Sequence, residues 1–181
     1  MLILASGSPR RRELLKKIAP DFKVVPSDID EKAIKASYRD LPQKIAQMKA
    51  YAVFQNYPND TVLASDTIVV IDNEVLGKPE NHADAKRMLK KLSGRSHIVI
   101  TGYTIISPKY EISRSVTTTV YFRELSDDFI DRYIKTGSPM DKAGAYGIQD
   151  KEFELVDHIE GSFDNVMGFP SEDIKKHLKL K

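Results

Sequence analysis

The sequence predicts an α/β domain in which helices flank a mixed central sheet. A strand-like run at residues 2–5 is followed at once by a small-residue loop and a helix start at Pro9. Two long β-rich runs, at residues 61–71 and 96–106, alternate with helical patterns. With 181 residues the chain can bury one core and is marginal for two, and it shows no repeat or linker. We therefore predict one domain over residues 1–181, with two lobes around a cleft.

The first half of the chain predicts strand, helix, strand, helix, strand. Ser8 is a suitable N-cap for the helix that begins at Pro9, and residues 22–25 form the second strand. A helix over residues 42–54 places Ile45, Met48, Ala52 and Val53 on its buried face, with Lys49 near that face. The strand at residues 61–71 is interrupted by the polar residues Ser65, Asp66 and Thr67.

The second half continues the alternation. Asn81 caps a helix that ends at Leu92, and Ser126 begins a helix that ends at Lys135. Between them, the runs at 96–106 and 112–122 predict an antiparallel pair joined near Pro108. The remaining predicted elements are a strand at residues 153–156 and a last helix after Pro170.

Composition excludes several classes of function. The 28 basic and 26 acidic residues are well mixed and give a net charge of +2, which disfavours a dedicated nucleic-acid binder. There is no cysteine, so disulfides, thiolate nucleophiles and Cys-ligated metals are excluded. No apolar run reaches the ~20 residues of a membrane helix, and the N-terminal run lacks the basic flank of a signal peptide. We expect a cytoplasmic protein.

The loop at residues 6–12, Ser-Gly-Ser-Pro-Arg-Arg-Arg, predicts an anion site. Backbone N–H groups at a helix N-terminus attract negative charge, and the hydroxyls of Ser6 and Ser8 add donors. Arg10, Arg11 and Arg12 oppose the helix dipole unless an anion compensates them, which favours a phosphate site over a merely solvated helical turn.

Asp66 is the second candidate, because a carboxylate inside an apolar strand costs desolvation energy unless it has partners. Such a residue can hold a metal ion or a water molecule at a cleft, or it can be a structural aspartate at a strand irregularity. The pattern by itself leaves both interpretations open.

Weaker signals come from an acidic loop and from three lysines. Asp28, Asp30 and Glu31 offer the oxygen ligands that Mg²⁺ or Mn²⁺ prefers, although such loops are often only solvated. Lys78 and Lys142 stand in glycine-bearing turns where a lysine can reach phosphate, and Lys49 shares that ambiguity with an ordinary surface lysine. His82, His97, His158 and His177 show no metal-ligand spacing, and the chain has no Walker loop.

Taken together, these segments resemble the Maf family, nucleoside triphosphate pyrophosphatases related in fold to inosine triphosphatases. The resemblance runs through nearly the whole chain in family order. The matching segments are ASGSPRR at 5–11, SDT at 65–67, GKP at 77–79, LSGRSH at 92–97, DKAGAYGIQ at 141–149 and NVMGFP at 165–170.

The resemblance implies roles for individual residues. The catalytic aspartate falls on Asp66, which activates the attacking water, and Glu31 is its metal-binding or catalytic partner. A divalent cation, Mg²⁺ or Mn²⁺, is implied at these two carboxylates. The residues implied to bind substrate are Ser6, Ser8, Arg10, Arg11, Lys49 and Lys78. Lys142, from its place in a glycine-bearing turn, is predicted to join them on the phosphate chain.

The resemblance also implies a choice of base. Members that act on dTTP and UTP carry Arg, Thr and Gln at three selectivity positions, which here are Arg11, Thr67 and Gln149. The 7-methyl-GTP subgroup differs there and is the alternative. A regulator of septum formation without turnover is another, as is a nucleic-acid binder using the basic patch at residues 10–12. A homodimer is expected from the resemblance.

Overall fold

A computed structural model of the chain, which describes residues 1–179, has an α/β architecture. Its helices alternate with strands over most of the chain, as the sequence predicts. Within those residues the strands are β1 (Leu2–Leu4), β2 (Lys23–Val24), β3 (Thr61–Ile71), β4 (Glu74–Leu76), β5 (Ser96–Ile106), β6 (Glu111–Phe122) and β7 (Val156–Glu160). The helices are α1 (Pro9–Ile18), α2 (Leu41–Phe54), α3 (His82–Leu92), α4 (Asp127–Lys135), α5 (Phe163–Val166) and α6 (Ser171–His177).

The strands form one mixed sheet in the order β2-β1-β3-β5-β6-β7, with β4 paired to β3. β1 is parallel to both β2 and β3, whereas β4 runs antiparallel to β3 and β7 antiparallel to β6. This confirms the predicted α/β class and mixed sheet.

The parallel pairing of β1 with β3 determines where the candidate residues lie. Leu4 is in register with Leu63, and the N–H of Ala5 donates to the carbonyl of Leu63 at 2.8 Å. Because parallel strands reach the same sheet edge with their carboxyl ends, the loop that follows β1 lies beside the residues that follow Leu63. Asp66 and the serine-arginine loop are therefore neighbours.

The chain comprises two compact units, each with its own core. The first comprises residues 1–67, 101–116 and 168–179, and its core includes Ile3, Ala5, Ala50, Val53, Val62, Ala64 and Ile106. The second comprises residues 68–100 and 117–167, and its core includes Val69, Leu76, Met88, Leu89, Leu92, Phe122, Ile130 and Tyr133. The single domain over residues 1–181 and the cleft between lobes stay predictions, and residues 180–181 lie outside the described part.

Helix starts are where the local sequence signals are strongest: the predicted N-caps Ser8 and Asn81 are confirmed, and Ser126, predicted to begin α4, is its N-cap. The side chains of Ser8, Asn81 and Ser126 each accept a hydrogen bond from the backbone N–H three residues later. The strand predicted at 153–156 is wrong, since Phe153 and Leu155 belong to a turn in which the N–H of Leu155 donates to the carbonyl of Phe153. The strand begins only at Val156.

β3 has the predicted bounds, residues 61–71, and is continuous through the three polar residues that interrupt its apolar pattern. Ser65, Asp66 and Thr67 keep strand geometry, and the first two are buried. Three polar residues in a buried strand are tolerated where their side chains find partners, and the partners are described below.

The buried face of α2 also differs from the prediction. The buried side chains are Pro42, Ile45, Ala46, Lys49, Ala50 and Val53. This set follows the i, i+3, i+4, i+7 spacing of one helical stripe, and the stripe passes through Lys49 rather than Met48. Met48 is 43% exposed whereas Lys49 is 7% exposed, so the prediction for Met48 is wrong.

Gly102 allows α2 to approach β5 closely. A Cβ atom at this position would overlap the backbone of Pro42 and Gln43, at the start of α2. Among the described residues, no helix is both long enough and apolar enough to cross a bilayer.

Candidate functional site

Asp66 and Lys49 form an ion pair that is removed from solvent. The ammonium Nζ of Lys49 lies 3.0 Å from Oδ1 of Asp66 and 2.7 Å from Oε1 of Glu31. Lys49 and Asp66 are 7% and 8% exposed, whereas the side chain of Glu31 is 48% exposed. Lys49 comes from the buried stripe of α2, and Glu31 opens a single 3₁₀ turn at Glu31–Ala33. Two predicted site carboxylates thus converge on one predicted site cation.

The environment of Asp66 alters its acidity. Burial raises the pKa of the Asp66 carboxyl above its ordinary value, and the charges of Lys49 and Arg11 oppose that rise. A carboxylate with a raised pKa is a stronger base than one in water, which suits proton abstraction near neutral pH.

The start of α1 gives the loop after β1 a defined shape. The hydroxyl of Ser8 caps the helix by accepting from the N–H of Arg11 at 3.5 Å. The hydroxyl of Ser6 accepts from the N–H of Ser8 at 3.2 Å. The first helical turn contains no acidic residue, so no carboxylate of its own sequence compensates the positive end of the helix dipole.

The guanidinium of Arg11 turns inward. Its Nε donates to the carbonyl of Gly168 at 2.9 Å, Nη1 to the Ser6 hydroxyl at 3.4 Å, and Nη2 to the Thr67 hydroxyl at 3.2 Å. Burial lowers the pKa of Arg11 and the charge of Asp66 opposes the shift, although the group stays protonated at neutral pH. The site's own carboxylate therefore compensates part of the positive charge at this helix start. Arg12 is exposed, as expected for an extra arginine.

Two partners of these residues were not predicted from the sequence. The carbonyl of Gly168 accepts from Arg11 and also from the Ser65 hydroxyl at 3.4 Å, and the hydroxyls of Thr67 and Thr101 lie 2.9 Å apart. Gly168 belongs to the NVMGFP segment, so that motif was a signal from which its role could have been predicted. No motif in the sequence pointed to Thr101.

The other three predicted site residues, Lys78, Lys142 and Gln149, belong to the second unit. The N–H of Gly144 donates to the carbonyl of Gly77 at 3.1 Å, which ties the turn of Lys78 to the segment of Lys142. A Cβ on Gly147 would lie 2.7 Å from Cε of Lys142 and 3.1 Å from Nε2 of Gln149. These two side chains therefore pack over the same glycine.

The donor set suits a metal ion that arrives with its substrate. Among residues 1–179, no cluster of three or more His, Cys, Asp or Glu side chains is arranged to hold a metal. Asp66 and Glu31 supply two carboxylates, and both contact the ammonium of Lys49. Mg²⁺ is commonly held by one or two carboxylates, with water and substrate phosphates as its other ligands, so the residues present fit such an ion.

A mixed α/β sheet carrying a serine-arginine helix start beside a buried carboxylate defines a class of phosphate-handling protein. The family model described as "Maf-like protein" matches residues 1–180, and the chain belongs to the Maf family. The resemblance found in the sequence is thereby confirmed.

Curated relatives are similar over almost their whole length. The dTTP/UTP pyrophosphatase of Thermococcus onnurineus is 52% identical over 180 residues, covering 99% of this chain and 97% of that protein. The protein of the same name from Thermococcus gammatolerans is 51% identical, covering 99% and 96%. A third, from Symbiobacterium thermophilum, is 48% identical over 170 residues, covering 93% and 88%. Among solved structures, the Staphylococcus aureus Ham1 protein matches with a TM-score of 0.49 and 18% identity, over 70% of this chain and 72% of that one.

Proposed function

We propose that this protein hydrolyses dTTP and UTP to the nucleoside monophosphate and pyrophosphate. The observation that carries the proposal is the buried Asp66 carboxylate, held by Lys49 next to the helix N-terminus of α1. The 46–52% sequence identity to proteins named dTTP/UTP pyrophosphatase, over 90–97% of the length of those proteins, supports the substrate class.

Asp66 is the catalytic base in this proposal. It takes a proton from a water molecule, whose oxygen forms a bond to the α-phosphorus of the triphosphate. The bond from that phosphorus to the α,β-bridging oxygen breaks, and pyrophosphate leaves with the bonding electron pair. The raised pKa of the Asp66 carboxyl favours this proton transfer.

The basic residues and hydroxyls of the first unit hold the phosphate chain. Arg10 and Arg11 stand in the first turn of α1, and Ser6 and Ser8 shape the loop before it. Lys49 neutralises Asp66 in the resting site and can turn to a phosphate oxygen once substrate is bound. Fixed charges of this kind stabilise a phosphoryl-transfer transition state more than the ground state.

A divalent cation, Mg²⁺ or Mn²⁺, would be held by Asp66 and Glu31 together with substrate oxygens. When bound, it would neutralise phosphate charge and increase the acidity of a coordinated water. Lys49 lies between the same two carboxylates, so its ammonium would share them with such an ion.

Base selection is assigned to Arg11, Thr67 and Gln149. Arg11 and Thr67 are joined by a hydrogen bond of 3.2 Å, so the position of one side chain depends on the other. Gln149 carries an amide donor and acceptor that match the O4 and N3 edge of thymine or uracil. Lys78 is assigned to phosphate, as the family resemblance implies. A cytoplasmic location and a homodimer stay predictions.

Pyrophosphate release from a panel of triphosphates tests the proposal. The panel contains dTTP, UTP, CTP, 7-methyl-GTP and the standard purine dNTPs, each with Mg²⁺ and with Mn²⁺. We expect dTTP and UTP to be cleaved with the largest kcat/KM. If 7-methyl-GTP is cleaved best, the proposed reaction stands but the assignment of base selection to Arg11, Thr67 and Gln149 is refuted. Absence of turnover by folded protein with either metal would instead favour a nucleotide-binding regulator.

A further inference from the structure

Lys142 is predicted from its glycine-bearing turn to bind substrate, yet its ammonium is already occupied in the second unit. Nζ donates to the carbonyl of Ser138 at 2.7 Å, to the Ser138 hydroxyl at 2.9 Å and to Oδ1 of Asp141 at 3.0 Å. A lysine ammonium has three protons, so these bonds use all of its donors. Its side chain is only 11% exposed, which leaves little room for phosphate.

The partner of Lys142 is itself fixed by Asp150. Oδ2 of Asp150 accepts from the Ser138 hydroxyl at 2.7 Å and from the Tyr133 hydroxyl at 2.5 Å. The Tyr133 oxygen in turn accepts from the N–H of Gly147 at 3.0 Å. Both arms of this network therefore end on the segment that carries Gln149.

Gly147 is the point at which the two arms meet. One arm fixes its N–H through Tyr133, and the other places the alkyl stem of Lys142 in the space that a Cβ on Gly147 would occupy, 2.7 Å from Cε. Nε2 of Gln149 would lie 3.1 Å from the same Cβ, and the turn is closed by a hydrogen bond of 3.1 Å from the N–H of Asp150 to the carbonyl of Gly147. The orientation of Gln149 thus depends on where Lys142 and Gly147 are held.

We propose that Lys142, Ser138, Asp150 and Tyr133 form a brace that orients Gln149 towards the nucleobase, and that Lys142 is a positioning residue rather than a phosphate ligand. The inference rests on the proposed function for the role of Gln149, and it deepens that function by naming what determines base selectivity.

Binding measurements separate the two roles of Lys142, because inorganic tripolyphosphate has the phosphates of the substrate but no base. The probes are tripolyphosphate and the non-hydrolysable α,β-imido analogues of dTTP and dATP, measured by calorimetry. The variants are Lys142→Met, Ser138→Ala, Ser138→Thr and Gln149→Ala. Asp128→Asn, an exposed acid on α4, is the matched control.

We expect Lys142→Met and Ser138→Ala to reduce the preference for the dTTP analogue over the dATP analogue about tenfold, the value of one good hydrogen bond. Tripolyphosphate affinity should stay within about twofold of wild type. Ser138→Thr keeps the hydroxyl, so this variant should retain the wild-type preference that Ser138→Ala loses. Combining Lys142→Met with Gln149→Ala should cost no more preference than Gln149→Ala alone, because both act through one contact.

Equal loss of tripolyphosphate and dTTP-analogue affinity in Lys142→Met would place Lys142 on the phosphates and overturn the inference. Unchanged base preference in both Lys142→Met and Ser138→Ala would also overturn it. If wild type binds the analogues but turns over no triphosphate, the proposed function fails while the brace is still tested by these affinities. If wild type binds no probe, both proposals are refuted.

Discussion

Lys49 and Asp66 share a hydrogen bond of 3.0 Å between Nζ and Oδ1 in a setting where both side chains are about nine-tenths buried. Burial of an ion pair is costly unless each charge has further partners. Glu31 supplies one for Lys49, and Arg11 supplies nearby positive charge for Asp66. Such an arrangement favours function over stability and accounts for a carboxylate in the middle of an apolar strand.

Asp66→Asn should reduce kcat by roughly 10² to 10⁴, the usual contribution of a general base. The substitution keeps the size of the side chain and removes a buried charge whose ionised form is disfavoured by the site. The melting temperature at pH 7 should therefore not fall. Steady-state kinetics and thermal unfolding check both halves, and Asp60→Asn, near the start of β3, is a control. Retention of more than about a tenth of wild-type kcat would contradict the role of Asp66 as base.

Lys49→Met should shift the acid limb of the pH–rate profile to higher pH. Lys49 lowers the pKa of Asp66, so its removal leaves burial less opposed and the pKa rises further. In the proposed mechanism the ionised form of Asp66 is the active one, and less of it is present at any given acidic pH. The profile of kcat/KM against pH measures the shift. Lys44→Met, an exposed lysine on the same helix, should leave the profile where it is.

Arg11→Lys should raise KM for dTTP by about tenfold or more even though the charge is kept. A lysine cannot reproduce the planar fork that reaches Gly168, Ser6 and Thr67 at once. The same variant should narrow the preference for dTTP over purine triphosphates. Arg12→Lys, exposed on the same helix, is the matched control and should change neither value. Equal effects of the two substitutions would refute the specific role of Arg11.

His97 should make the second unit sensitive to acid. Burial lowers the pKa of His97 to about 4, from an ordinary 6.5, so the folded state binds fewer protons than the unfolded one between these values. The contribution of neutral His97 to the free energy of unfolding is fully present above pH 6.5. It is lost as the pH drops towards 4, by at most about 1.4 kcal/mol per pH unit. Urea unfolding at several pH values measures the slope. His97→Phe should flatten it, whereas a substitution of the exposed His82 should not; an unchanged slope in His97→Phe would disprove the assignment.

Gly102→Ala should destabilise the first unit by about 3 kcal/mol, because the added methyl group meets the rigid backbone at the start of α2. Gly77→Ala, where an added Cβ has nothing within 4 Å, is the control for chemical denaturation. A loss of less than about 1 kcal/mol would mean that α2 can move away from β5 without cost.

Local signals in the sequence predicted the fold and much of the candidate site. Helix starts are predictable at Ser8, Asn81 and Ser126, because each cap side chain bonds only to a backbone N–H three residues later. The exact phase of α2 was missed, since Met48 and Lys49 differ by only one position around the helix. Neighbouring residues on a helix are separated by about 100°, so a one-residue error changes which side chain is buried.

Contacts between residues far apart in the chain could not be predicted from local sequence patterns. Arg11 and Gly168 are 157 positions apart, and their hydrogen bond follows from how the last segment packs in the first unit. The brace on Lys142 lies close in sequence, yet Ser138 and Asp150 resemble ordinary polar turn residues until the geometry of their side chains is known.

Hydrolysis of dTTP in water enriched in ¹⁸O tests the central claim most directly, because the label marks the phosphorus that water attacks. We predict one ¹⁸O atom in the dTMP formed and none in pyrophosphate, with both products formed at equal rates by wild type and nearly abolished in Asp66→Asn. Label in pyrophosphate would place the attack on the β-phosphorus. Release of inorganic phosphate with dTDP would show cleavage of the other anhydride bond, and either result would contradict the account.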